Sequence, residues 1–473
     1  MASTTLGSIL PSLGFLNAIV QDNTLVREFR DALFPQLLFR DEAYPERWEV
    51  NIGDVQVFTR ASLLTPTVTP LVAGTDPVPV VPAFEQWRVQ AAQYGSSIDT
   101  HMPASRTALA PLFARNAKTL GLQAGQSLNL LCRDKLFASY TGGDTLTANA
   151  AAPSATLEVA AINGFVSVII NGELTQVSPA NPKPVFISGV PGKQNVIQAV
   201  PNDPNDPFGP GTLTLAAPVT FAAAARVIAE DAPRIIRVGG APSVDGLTPT
   251  SALSLQEIRQ AVATLQRNRV PTHEDGYYHV HLDPSAVSQI FADNEFQRLN
   301  QGVPDGLRYA EFAIGRLMGC IFFSNNESPN VFNSAPNGPA GLIPSRAGTE
   351  ARASPSYFAE VINASGVGII RTIITGGGSI MEKWIDENQD YMTEAGYTGK
   401  VGMFDIVNNG IAINTERIRY IIRSPLDRLQ QQVSQSWSWS GDWGIPTDLL
   451  GGQTGGRFKR AVVIESGSED TAA

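Results

Sequence analysis

Apolar side chains recur along this chain with periods that change from stretch to stretch. Tyr277 to Leu282 alternates bulky with small or polar residues and is rich in β-formers, which predicts a strand. Asp283 and Pro284 follow it. A carboxylate there can cap the free amides of a helix start, and proline fits a first helical turn because its missing N–H would be unpaired anyway. Val287, Ile290, Phe291 and Leu299 then fall on one helical face. Phe312 to Phe323 is a second apolar run, broken by Gly315 and Gly319, and predicts a buried strand after a tight approach.

The rest of the chain divides by the same signals. Within 1–47, Val26, Phe29, Leu33 and Phe34 mark one side of a predicted helix from Asn23 to Leu38. Within 48–103, Trp48, Val50 and Ile52, then Val55, Val57 and Thr59, alternate as strand positions, and Phe84 to Tyr94 predicts the returning strand. Between them lie five prolines and one glycine from Ala61 to Pro82, a connection of a length that is uncommon unless it serves a function. Residues 104–140 carry two helical runs, Leu109 to Leu120 and Leu128 to Phe137, with a bend expected at Gly121 and Gly125. In 141–245 charge thins out and short β-like segments recur between turns such as Asn163-Gly164 and Asn171-Gly172, predicting a small β-sandwich or barrel.

Ser254 and Glu257 have capping-box spacing ahead of the stripe Leu255, Ile258, Val262 and Leu265, so 246–271 holds a helix that Pro271 closes. Residues 324–356 have loop composition. Strand patterning returns at Tyr357–Ile362, Val367–Thr375, Tyr397–Ile406 and Ile411–Ile422, the last predicted as one long strand. The tail carries Trp437, Trp439 and Trp443, expected as packing residues, before the run GGRFKRAVVIES. The fold class is α+β.

Two stretches in sequence, DGYYHVHLDPSAVSQI and EFAIGRLMGCIFFSNNE, resemble the apical core of tailed-phage major capsid proteins with the Hong Kong 97-like fold. GDVQVFTRASLLTPTVTPLVAGTDPVPVVPAFEQWRVQAAQYG resembles the extended loop of the same proteins. The resemblance implies an N-terminal arm at 1–47, an extended β-hairpin loop at 48–103 and a spine helix at 104–140. It further implies an inserted all-β domain at 141–245, a peripheral-domain helix at 246–271, an apical domain at 272–395, and peripheral strands with a tail at 396–473. The extended loop contains no lysine, so the lysine–asparagine cross-link of some family members is not expected; no long charged helical segment precedes the helix predicted at Asn23 to Leu38, so a fused scaffolding domain is not expected either.

Composition narrows the chemistry. A net charge of −10 argues against a molecule built to attract nucleic acid. Only seven of the 34 cationic side chains are lysine, and arginine suits fixed bidentate pairing. Cys132 and Cys320 stand far apart in apolar surroundings and are expected as buried free thiols. The first residues lack the basic start of a signal peptide, and no apolar run nears the roughly 20 residues that cross a bilayer. Among candidate sites, His279 and His281 with Asp283 form His-x-His-x-Asp at a strand end, a pair that metal-dependent hydrolases use, although Asp283 is better placed as a cap. Gly376 to Gly378 lacks the following Gly-Lys-Ser/Thr of a phosphate cradle, and Arg457, Lys459 and Arg460 form the densest basic cluster.

The resemblance therefore implies a structural protein and no enzyme: a major capsid protein, with no cofactor and no metal, made in the host cytoplasm and located in the virion. Its partners would be copies of itself in hexamers and pentamers, with scaffolding, decoration and portal proteins beside them. The shell would enclose double-stranded DNA without specific recognition and without a membrane. An encapsulin-like nanocompartment, or a metal-dependent hydrolase using His279 and His281, are the alternative readings.

Overall fold

The structure is a computed structural model that describes residues 38–48, 55–61, 84–101, 112–170, 173–202, 210–241 except 224, 246–300, 315–329 except 326, 367–385, 410–423 except 416, 431–448 and 458–468, with isolated positions from 53 to 82. The helix expected at Asn23–Leu38 and the strands expected at Tyr357–Ile362 and Tyr397–Ile406 lie outside these residues, save Leu38. The strands are β1 (Tyr44–Arg47), β2 (Val55–Ala61), β3 (Phe84–Gln90), β4 (Ala92–His101), β5 (Asp144–Leu146), β6 (Ala151–Val159), β7 (Ser167–Ile170) and β8 (Glu173–Gln176). Next come β9 (Lys183–Ile187), β10 (Gln194–Pro201), β11 (Gly211–Phe221), β12 (Arg226–Ala229), β13 (Ile235–Arg237), β14 (Tyr278–Leu282), β15 (Arg316–Leu317) and β16 (Cys320–Ser324). The last are β17 (Gly368–Thr375), β18 (Met381–Trp384), β19 (Gly410–Thr415), β20 (Ile418–Arg423), β21 (Gln432–Gly444) and β22 (Ala461–Ser468). The helices are α1 (Leu112–Thr141), α2 (Leu255–Arg267), α3 (Pro284–Ala292) and α4 (Asn294–Asn300). This mixture is α+β.

One compact unit comprises Met1–Gln56, Arg88–Arg133 and Ile380–Gly444. Its sheet runs β1-β18-β21-β20-β19, and β4 lies along β21 from His101↔Gln432 to Ala92↔Gly441. The strand expected to end at Tyr94 therefore continues to His101 after a break at Ala91. Gly95 is required there, because a Cβ at that position would sit 2.6 Å from the Trp437 carbonyl oxygen. Ala117, Leu120, Ala124, Leu128 and Cys132 recur every three or four residues on the buried face of α1. That helix passes through Gly121 and Gly125 as one element, with the buried face on either side of the glycines holding the helical path. Trp437, Trp439 and Trp443 are buried, the last two stacked 4.5 Å apart, as expected of packing residues.

The long strand expected over Ile411–Ile422 is instead the hairpin β19–β20, paired from Gly410↔Arg423 to Thr415↔Ile418. Its turn places Arg417 at φ 65°, a left-handed conformation that periodicity does not reveal.

The second unit comprises Val57–Trp87, Asp134–Ser379 and Ile445–Ala473. Within it, β5-β12-β9-β10-β11-β6 form an antiparallel sheet with its own core, which includes Leu157, Phe165, Val185, Leu213 and Val227. The pair β7–β8 stands as a separate two-stranded sheet. A second six-stranded sheet runs β13-β22-β17-β14-β16-β15. Its strands β17 and β22 are buried along their whole length, and α2 and α3 contribute to its core through Leu255, Ile258, Leu265, Val287 and Ile290. β13 falls inside the stretch read as an insertion, yet it pairs with β22 of this other sheet.

Local signals hold well here. Ser254 accepts from the Gln256 amide and forms the capping box with Glu257; Asp283 accepts from the Ser285 amide with Pro284 in the first turn. Three expectations fail. The helix after Pro284 does not reach Leu299 unbroken: it stops at Asp293, whose carboxylate accepts from the amides of Leu255 and Glu295, and α4 starts anew. The strand expected after the glycines of Phe312–Phe323 is β16, but the tight approach expected before it is a turn. Met318 (φ 55°) and Gly319 (φ 75°) form a tight turn joining β15 to β16. Gly315 and Gly319 serve backbone conformation and not close approach, since a Cβ at either would meet nothing within 4 Å. Finally, α2 ends at Asn268, with Arg269 at φ 56°, before Pro271 is reached.

Ser254→Ala removes one half of the capping box. It is expected to cost about 0.5–2 kcal/mol, read from the shift of the urea unfolding midpoint.

Candidate functional site

The two histidines of the His-x-His-x-Asp motif have separate surroundings. His281 is buried in β14, stacked 5.5 Å from Phe323, with its Nδ1 3.5 Å from Asn325 Nδ2. His279 is partly exposed; its Nε2 lies 2.8 Å from Asp275 Oδ2, and its ring stacks 4.0 Å from His273. Slight burial works against ionisation of Asp275, but hydrogen bonds from His279 and the Tyr277 amide, with the nearby imidazoles, hold it below the usual carboxylate range. Asp283 is engaged as the helix cap. Among the described residues, no group of three ligand-type side chains brings His279 and His281 together. The strand motif is thus divided between a core contact and a surface pair.

The glycine run and the basic cluster meet each other. A Cβ at Gly377 would lie 2.4 Å from the Thr272 carbonyl oxygen, and Gly376 faces Val270 just as closely. The run lets the chain after β17 pass against residues 270–272, where the Gly377 amide donates to Pro271 O at 2.8 Å. Arg460 donates to Gly377 O at 3.0 Å and, through Nε, to Asp448 at 2.8 Å. Lys459 is buried, and Arg457 lies outside the described residues.

Paired buried charges are what sequence reasoning missed. Arg40 and Glu382 are both fully buried, and Nε donates to Oε1 at 2.9 Å; Arg417 binds the other carboxylate oxygen. In the second unit Asp144 receives Arg226 through two hydrogen bonds and Arg237 through a third, each of 2.8–2.9 Å. Glu465 joins Arg237 at 2.8 Å to Arg371 at 3.0 Å. Burial disfavours the Arg237 cation, but Glu465 and Asp144 outweigh that and raise its pKa. The preponderance of arginine over lysine is the one sequence signal that points toward such pairs.

Among the described residues, exposed large apolar side chains gather on the ribbon of β2 and β3, which pair with each other. Phe58 and Trp87 stack 5.5 Å apart on one face. On the other, Gln86 donates to Thr59 at 3.1 Å, and Val57 (48% exposed) and Phe84 (54%) stand in solvent. Val55, Leu64, Val68 and Val80 extend the exposed apolar set along the same stretch. Arg60 tethers the ribbon by an ion pair to Asp448. Water-exposed valine and phenylalanine concentrated on one ribbon mark a contact surface. No described helix is long and apolar enough to cross a membrane.

No protein-family model matches the chain, and no curated protein does. Among solved structures it is similar to the capsid asymmetric unit of Cyanophage Pam1 (TM-score 0.47, 9% identity), over 94% of this chain and 93% of that one. It is also similar to the capsid of Cyanophage P-SCSP1u (TM-score 0.46, 8% identity), over 91% and 88%. A third is the capsid of Ralstonia phage GP4 (TM-score 0.45, 13% identity), again over 91% and 88%.

Glu382→Gln leaves Arg40 desolvated without its counter-charge and is expected to cost about 3–5 kcal/mol in a denaturant titration. Burial raises the Cys320 thiol to about 12 and the Cys132 thiol well above its ordinary value. Neither should react with an aromatic disulfide reagent at about pH 8 in the native protein, and both should react after denaturation. Because only the unfolded chain can ionise these thiols, stability should fall as pH rises above about 8.5, the ordinary thiol value.

Proposed function

We propose that this chain is the major capsid protein of a tailed phage, and that it works by assembling with copies of itself into an icosahedral shell around double-stranded DNA. The observation that carries the reading is the β2–β3 ribbon, whose outer face exposes Val57 and Phe84 and whose Pro-rich connection spans 62–83. A monomer gains nothing by showing that face to water; a neighbouring copy covering it would gain the apolar burial. The order of elements supports the same reading: ribbon, long helix α1, all-β sheet, capped α2, then β14–α3 and the strands that follow.

On this reading the ribbon is the extended loop, α1 the spine helix, and 1–47 the N-terminal arm, in a Hong Kong 97-like fold carrying an inserted all-β domain. The apical part would take β22 from the tail besides the strands of 272–395, while β18 would go to the peripheral sheet. Interfaces that are individually weak add up in a closed lattice, because each further contact is made at high effective concentration. The net charge of −10 suits a container that does not grip its DNA, and catalysis has no part in the reading. Scaffolding, decoration and portal proteins would be its further partners, the virion its place, and the host cytoplasm its site of synthesis.

The test is assembly of the purified full-length chain, with and without a scaffolding protein, followed by sedimentation velocity and negative-stain microscopy. Closed shells or extended lattices of megadalton size are expected. Val57→Asp with Phe84→Asp should keep the circular dichroism of the wild type and stop assembly at small oligomers. A wild type that stays monomeric under every condition would overturn the reading.

A further inference from the structure

We propose that the all-β body, residues 144–231, is hinged on the end of α1 and held at its observed angle by an ion-pair catch, Asp144 to Arg237. This stands on the geometry of the second unit and does not depend on the assembly reading.

The chain enters and leaves this body side by side. It enters through Gly142 and Gly143, the latter at φ 86°, and the Ala229 amide donates to the Gly143 carbonyl at 2.7 Å on the way out. The return segment still belongs to the body at Asp231, whose carboxylate is 3.0 Å from the buried Lys183 ammonium of β9. The turn at Asn163-Gly164 clasps the helix end: Asn163 Nδ2 donates to Ala138 O at 2.6 Å, and its carbonyl accepts from the Gly143 amide at 2.8 Å. No side chain fits at Gly164, where a Cβ would lie 2.2 Å from the Gly143 nitrogen. These contacts fix where the body attaches. They are grouped at one point and resist rotation about it poorly.

Among the described residues, the buried cluster of the all-β body is separate from the cluster around α2, α3, β14, β17 and β22. A run of charges links the two. Arg226 and Asp144 come from β12 and β5 of the body; Arg237, Glu465 and Arg371 come from β13, β22 and β17 of the other sheet. The five alternate in sign, and the Asp144–Arg237 link is the crossing point, with both side chains 5% exposed. An ion pair so desolvated is costly to break by removing one partner and directional when made.

The arrangement has a second property. Without Arg237, each carboxylate still keeps one arginine: Asp144 keeps Arg226 inside the body, and Glu465 keeps Arg371 inside the other sheet. Opening the catch therefore strands neither acid, and both sheets stay intact while the angle between them is released. That is how a two-position joint behaves, in contrast to a core contact.

Arg237→Met in the full-length chain, followed by hydrogen exchange with mass-spectrometric readout, tests this. Exchange should rise roughly tenfold or more at 142–146 and 230–238, while the centres of β9–β11 and β17–β22 keep their protection. Arg237→Lys should restore part of the protection. Arg371→Met, which removes a network arginine outside the crossing, should leave 142–146 unchanged. Unaltered exchange at 142–146 in Arg237→Met would show that the pair holds no angle. Loss of protection throughout both sheets would show it to be a general core contact, and either result overturns the proposal.

Discussion

A carboxylate removed from water needs a cation or hydrogen-bond donors, and three buried carboxylates in this chain each take two arginines from other strands and loops. Glu382 takes Arg40 and Arg417; Asp144 takes Arg226 and Arg237; Glu465 takes Arg237 and Arg371. Each pairing joins segments distant in sequence, Arg40 and Glu382 by 342 positions. A salt bridge this deep adds little net stability over an apolar contact of the same shape, but a mispaired alternative is penalised heavily.

The strands of both units are sequentially scattered. β22, near the end of the chain, lies between β13 and β17, and β18 lies between β1 and β21. β22 is covered along its whole length, and β18 buries Glu382 and Lys383 at its centre. Such non-local sheets form only after distant segments meet, so folding of either unit waits on its C-terminal strands.

Against these closed interiors the ribbon of β2 and β3 is the exception. Its inner face satisfies itself with the Phe58–Trp87 stack and the Arg60–Asp448 tether, and its outer face leaves valine and phenylalanine in water. The two histidines of the strand motif have different neighbours, Phe323 and Asn325 for His281, Asp275 and His273 for His279.

By itself the sequence determined whatever a few neighbouring residues can decide. The capping box at Ser254 and Glu257 and the Asp283 cap are legible because each rests on contacts within about one turn of chain, while the strand before the cap, the turn at Asn163-Gly164 and the buried thiols are legible from local composition and apolar pattern. Tertiary structure decided the rest. Asp293 ends α3 since its carboxylate is drawn to the amide of Leu255, and α1 runs past two glycines on a buried face. The turn at Arg417 splits an apolar run that periodicity reads as a single strand, through left-handed backbone at a residue that does not announce it. The run AVVIES reads as tail but becomes a central strand, and the arginine–carboxylate pairs are invisible until the fold brings their ends together. A hydrophobic pattern states that a segment will be buried; which partner buries it is settled by the whole chain at once.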